Sequence, residues 1–162
     1  MTRIATLLLA ALLAACATIE NYRALDQPVG QVLTASVGGT MFRLNRSSDL
    51  PNVFGKADMY GGKVDRGYAE LKFLGLTEKG ELILSVTDIH KSSTETTMDR
   101  YGASPRVEVQ TSVAVGSGSA PEGSRFLFDP RKQKELVISG IRVIFVDVQA
   151  YSVSYRLEDT QR

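Results

Sequence analysis

The sequence predicts an all-β fold, an antiparallel β-sandwich or small β-barrel of about eight strands, and three observations carry that expectation. Apolar and polar residues alternate with period two over much of 31–157. Short turns, several carrying glycine, separate the alternating segments. Beyond residue 16 no long stretch keeps its apolar residues at helical spacing.

The first element stands apart from that pattern. Met1-Thr2-Arg3 is a short basic start, and 4–13 is an apolar run of about ten residues, the length of a signal-peptide core rather than of a membrane span. The run ends in Leu13-Ala14-Ala15-Cys16: an aliphatic residue, two small residues, then cysteine. This end resembles the lipobox of bacterial lipoprotein precursors, a resemblance confined to the start of the chain. It implies cleavage between Ala15 and Cys16, lipid on the Cys16 thiol and acylation, for example by palmitate, of the new amino terminus. It also implies attachment to the outer membrane of a Gram-negative bacterium, facing the periplasm, since Ala17 stands where inner-membrane retention is associated with aspartate. Several acyl chains, each buried CH₂ contributing about 0.8 kcal/mol, make a stable anchor. The competing readings are an ordinary secretory signal with a chance cysteine and a buried apolar helix.

Residues 1–15 are therefore expected to be a signal peptide, 16–28 the lipidated cysteine and a tether, and 29–162 a single all-β domain. The tether ends at Pro28 and Gly30. Ile19, Tyr22 and Arg23 suit one face of a helical turn, and a polar, extended linker competes with it.

Segments 31–37 and 40–46 flank Gly38-Gly39 and read as a hairpin, with Phe42 and Leu44 on one face and Met41, Arg43 and Asn45 on the other. The region 47–67 is the main irregular stretch, and Asp49-Leu50-Pro51-Asn52 suits a helix start with Asp49 as cap. A second hairpin follows: Ala69, Leu71 and Phe73 alternate with Glu70 and Lys72, Thr77-Glu78-Lys79-Gly80 turns the chain, and Leu82, Leu84 and Val86 return. Val107, Val109, Thr111, Val113 and Val115 mark a half-buried strand, and a Gly/Ser loop leads to Phe126 and Phe128 on one face. The apolar run 135–148 suggests a strand buried on both faces, with a bulge at Gly140. Tyr151, Val153, Tyr155 and Leu157 restore one-sided alternation, as a second strand or as the bent end of one long strand.

Composition narrows the function classes. The chain has 162 residues, one cysteine and a net charge of +1. Cys16 is that cysteine, so the domain has no internal disulfide and no cysteine-rich zinc site, and its stability rests on a packed core. The near balance of charge argues against nucleic acid as a partner.

His90 is the single histidine. Asp88 lies two residues before it on a predicted strand and shares its face, a pairing that orients an imidazole or supplies two metal ligands. No G-x-S-x-G accompanies it. Gly61-Gly62-Lys63 is not a phosphate loop, because Ala57 stands where its first glycine belongs and Val64 follows the lysine. Arg131, Lys132 and Lys134 read as a solvated basic turn or as a weak contact for anionic headgroups.

The expectation is thus a lipid-anchored envelope protein, held to the membrane through Cys16, that binds or scaffolds, has no catalysis of its own and needs no cofactor or metal. An envelope protein is the expected partner, contacted through 54–68, where Phe54, Tyr60, Lys63 and Tyr68 mix aromatic rings and charge, and the same rings suit a cap on one end of the core equally well. Two alternatives stand beside it. One is a carrier of an apolar or lipid ligand, with the valine face of 107–115 lining a barrel. The other, weaker, is a hydrolase or metal-dependent enzyme centred on His90.

Overall fold

The computed structural model describes residues 18–102, 104–111 and 124–161. The apolar leader with Cys16, the Gly/Ser loop, Val113 and Val115 lie outside the described residues. Among the described residues, ten strands form two antiparallel sheets that do not close into a barrel. They are β1 (Asn21–Leu25), β2 (Val32–Ser36), β3 (Thr40–Asp49), β4 (Lys63–Leu76), β5 (Leu82–Ser93), β6 (Val107–Thr111), β7 (Ser124–Phe128), β8 (Glu135–Ile138), β9 (Ile141–Gln149) and β10 (Ser152–Asp159). A short 3-10 helix, Thr97–Tyr101, is the one helical element described. No helix among these residues is long and apolar enough to cross a membrane.

The six-stranded sheet runs β1-β3-β4-β5-β6, with β7 also on β5, and the four-stranded sheet runs β2-β10-β9-β8. Two compact units are distinguished. Unit 1 comprises Met1–Tyr22, Arg46–Arg66 and Lys91–Glu108, and unit 2 comprises Arg23–Asn45, Gly67–His90 and Val109–Arg162.

Unit 2 is a β-sandwich. Its core joins Phe42, Leu44, Leu71, Phe73, Leu82, Leu84 and Phe128 of the larger sheet to Ile141, Val143, Phe145, Val153, Tyr155 and Leu157 of the smaller. Period-two alternation places these side chains on inner faces, and their burial is the main driving force for the fold. Tyr155 is enclosed among them, and its hydroxyl donates to the Met41 carbonyl oxygen. Burial pushes its phenol up to about 12, so the ring stays neutral at physiological pH.

The β4–β5 hairpin forms as the alternation predicts, with Leu71 opposite Val86, Phe73 opposite Leu84, and Gly80 at φ +77° closing the turn. Phe126 and Phe128 share the inward face of β7, Phe128 buried and Phe126 partly so.

Several expectations change. Gly38-Gly39 does not close a hairpin: β2 pairs with β10, whereas β3 lies between β1 and β4, so the glycines carry the chain from one sheet to the other. Main-chain bonds from Gly38 N to Phe73 O (2.7 Å) and from Phe73 N to Gly39 O (3.0 Å) hold that corner. Met41 is as buried as Phe42, because it lies where the strand leaves the corner. Gly140 marks a tight turn rather than a bulge. Ser139 at φ 51° and Gly140 at φ 79° form a two-residue connection of the kind that matches strand twist. The run 135–148 is therefore two strands, and β9 buries Ile141, Val143 and Phe145 while Val146 is exposed. Ala150-Tyr151 turns the chain again between β9 and β10.

The segment expected as a polar tether contributes β1 beside β3. The irregular stretch is shorter than 47–67, since β3 runs to Asp49 and β4 begins at Lys63. Asp49 caps no helix, and Pro51 instead forms an isolated bridge with Ala57. Val107 and Val109 of β6 are exposed rather than half-buried, at 54% and 57%.

Candidate functional site

Unit 1 carries four of the five described aromatic and methionine side chains that are at least 80% exposed, near its loop 50–62 and the 3-10 helix; the fifth, Tyr151, is in unit 2. Phe54 is 85% exposed, Met59 86%, Tyr60 80% and Tyr101 86%, with Val53 and Met98 also on the surface. Exposed apolar side chains that gather in one region, unlike single scattered ones, mark a contact surface.

The loop that carries them is tightly built. Asn52 begins a turn in which its carboxamide oxygen accepts from the amides of Phe54 (2.9 Å) and Lys56 (3.0 Å), and its own amide donates to Lys56 O (2.7 Å). Such side-chain-to-backbone bonds are what make asparagine a turn residue. The loop base is closed by Leu50 N to Gly62 O and Asp58 N to Leu50 O, both 2.8 Å. The 3-10 helix is fixed by a capping box in which Thr96 and Asp99 satisfy each other's backbone amides, and Thr97 N donates to Pro51 O at 2.9 Å. Met59, Tyr60 and Tyr101, with Asn52, Asp58 and Thr97, line an open pocket of about 210 Å³.

Below the loop lies a charged clasp. Asp49, largely buried, accepts from Lys63 Nζ (2.5 Å) and the Tyr22 hydroxyl (3.0 Å) through Oδ1, and from the Glu20 amide (3.0 Å) through Oδ2. Lys63 Nζ also sits 3.4 Å from the Tyr22 ring centroid, a cation–π contact. The Lys63 hydrogen bond, then the Glu20 amide, holds the Asp49 carboxyl below its ordinary value. For Lys63 burial works against the charge, but the bonds to Asp49 and Tyr22 outweigh it and raise the ammonium. Every group in the clasp is satisfied by another, so its role is to pin the entering segment 20–22 to the base of the loop.

The predicted contact residues thus separate. Phe54 and Tyr60 are on the exposed loop. Lys63 is held in the clasp. Tyr68 lies on β4 in unit 2, half-buried, with the Arg43 guanidinium 3.9 Å over its ring. Cys16 lies outside the described residues. Sequence reasoning missed Met59, Met98 and Tyr101; the signal for the last two was the Thr96-x-x-Asp99 cap, which announces a helical turn after β5.

The remaining polar groups of interest lie in unit 2. His90 Nε2 is 3.2 Å from Asp88 Oδ1, on the shared face that the strand period predicts. The Ser139 hydroxyl donates to Asp88 Oδ2 at 2.7 Å. The carboxylate therefore stands between hydroxyl and imidazole, whereas a nucleophilic serine needs the imidazole next to it. Among the described residues no group of three or more His, Cys, Asp or Glu side chains is placed to hold a metal ion. Arg131 and Lys132 pair with Asp129 at 3.0 and 3.7 Å, and Arg131 also donates to Lys79 O at 2.9 Å. No family model matches the chain, and no curated protein or solved structure shows significant similarity to it.

Proposed function

We propose that this chain is a lipid-anchored envelope protein of a Gram-negative bacterium, attached through Cys16 to the periplasmic face of the outer membrane, whose β-fold binds or scaffolds and performs no catalysis of its own. The anchor is supported by the basic start, the apolar run and the lipobox-like Leu13-Ala14-Ala15-Cys16. The binding role is supported above all by one observation. Phe54, Met59, Tyr60 and Tyr101 are exposed on a hydrogen-bonded loop and helical turn, in a unit whose neighbouring backbone is well satisfied. Exposed rings on a fixed frame lose little conformational freedom on contact, which favours recognition.

Metabolic labelling with an alkyne palmitate analogue tests the anchor. The intact chain takes up the label and sediments with the outer membrane, and Cys16→Ser abolishes both; persistent labelling of that variant refutes the assignment. Photo-crosslinking from Phe54 in living cells tests the surface. Crosslinking to a neighbour, lipid or protein, at a yield well above that of a probe at Tyr151 is expected, and equal yields from the two positions would count against a dedicated contact region.

A further inference from the structure

We propose that the exposed apolar side chains of the 53–60 loop and Tyr101 rest in the headgroup boundary of the same leaflet that holds the anchor, so that unit 1 is seated on the membrane rather than merely tethered near it. The proposal rests on the lipidation of Cys16 and names the partner of the surface described above.

The path of the chain carries the inference. Glu20 and Asp49 pair through main-chain and side-chain bonds of 3.0 Å in both directions. The next residue, Leu50, bonds at 2.8 Å to both Asp58 and Gly62, which bracket Met59 and Tyr60. The lipid-bearing end therefore enters the fold at the base of the loop. Three residues separate Cys16 from Glu20, and a fully extended chain covers no more than about 3.6 Å per residue step, or about 14 Å over the four steps. The clasp of Asp49, Lys63 and Tyr22 fixes the entering segment at that point, so the base of the loop stays within that reach of the leaflet.

The side chains fit such a seat. Aromatic rings with a polar edge, as on Tyr60 and Tyr101, prefer the level of the headgroups, and Phe54 and Met59 gain from burial just beneath it. Charge is a minor attraction: Lys56 is the one lysine on the 53–60 loop, a single cation toward an anionic surface, while Lys63 is paired with Asp49 and Lys91 with Asp65 at 2.5 and 2.6 Å. The contact is therefore predicted to depend only weakly on anionic lipid and salt.

The test uses the full acylated protein carrying Met59→Cys, purified from a Gram-negative host and reconstituted in phosphatidylethanolamine/phosphatidylglycerol vesicles. Acylation occupies the Cys16 thiol, so a nitrobenzoxadiazole probe attaches at position 59 alone, and the intact mass reports the anchor independently. At position 59 the emission should shift to the blue and be quenched by shallow brominated lipids at least about twofold more than the same probe at Tyr151→Cys. A correctly acylated protein whose position-59 probe stays in water overturns the leaflet contact and leaves the anchor standing. So does shielding of that probe by a crosslinked protein instead of lipid. A mass without acyl chains, with label on Cys16, removes the anchor and the proposal together.

Discussion

In unit 2 the rings of Phe42, Phe73 and Tyr155 are enclosed between two sheets, whereas in unit 1 Phe54, Tyr60 and Tyr101 stand largely in water. The two regions draw on the same residue types, and strand period explains the difference. In unit 2 the rings occupy alternate positions on paired strands and so face inward together. In unit 1 they sit on a loop and a single helical turn, outside the strand alternation that turns the unit 2 rings inward. Unit 2 thus holds most of the buried core, and unit 1 most of the rings that remain available for contact.

Substitutions in the two regions should separate these roles, and the largest effect is expected in the core. Phe73→Ala removes a fully buried ring and should lower unfolding free energy by about 3–5 kcal/mol, read from the urea midpoint. Tyr155→Phe deletes the buried hydrogen bond to Met41 O, costing about 0.5–1.5 kcal/mol by the same measurement. Tyr155 also sets an alkaline limit. Its folded-state pKa is raised from the ordinary 10 to about 12, so its contribution is complete below pH 10 and is lost as pH rises through 12. Thermal melts across that window should show the loss, and Tyr155→Phe should flatten it.

The clasp in unit 1 should fail at the other end of the scale. The Asp49 pKa is depressed by Lys63 and the Glu20 amide, so its contribution is present above the ordinary carboxylate value and disappears as pH falls through the lowered one. The protection of the Glu20 and Asp49 amides relative to intrinsic exchange at the same pH should therefore fall on acidification, and Asp49→Asn should show the lower protection already at neutral pH. The smallest effect is expected at the contact surface itself: Phe54→Ala should change stability by less than about 0.5 kcal/mol. A large destabilisation there would erase the contrast between the units.

Part of this division was legible in the residues. The β4–β5 hairpin follows from strict alternation around a glycine-closed turn, whereas Phe54 and Tyr60 suited an exposed surface and a cap on the core equally, because a loop has no period that assigns a side chain to a face. What failed was partner choice. Gly38-Gly39 announces a reversal but not whether the chain returns to its own sheet, which depends on β10, more than a hundred residues later. The Ala150-Tyr151 turn carries no glycine, proline or asparagine to mark it, and β1 is too polar to stand out from a linker. Lys63 read as a contact residue because its charge is visible in the sequence and its partners Asp49 and Tyr22 are not. Tyr101 and Met59 come to one pocket only because Thr97 is tied to Pro51, a pairing with no local signature.

Hydroxyl-radical footprinting tests the contrast between the units most directly, because methionine and aromatic side chains are the reactive groups and unit 1 exposes several of them. Oxidation at Phe54, Met59 and Tyr101 should be strong in the free Cys16→Ser protein and fall severalfold in the native protein within intact envelopes, while Tyr151 reacts equally in both. Equal oxidation of the unit 1 side chains in the two settings would contradict the account.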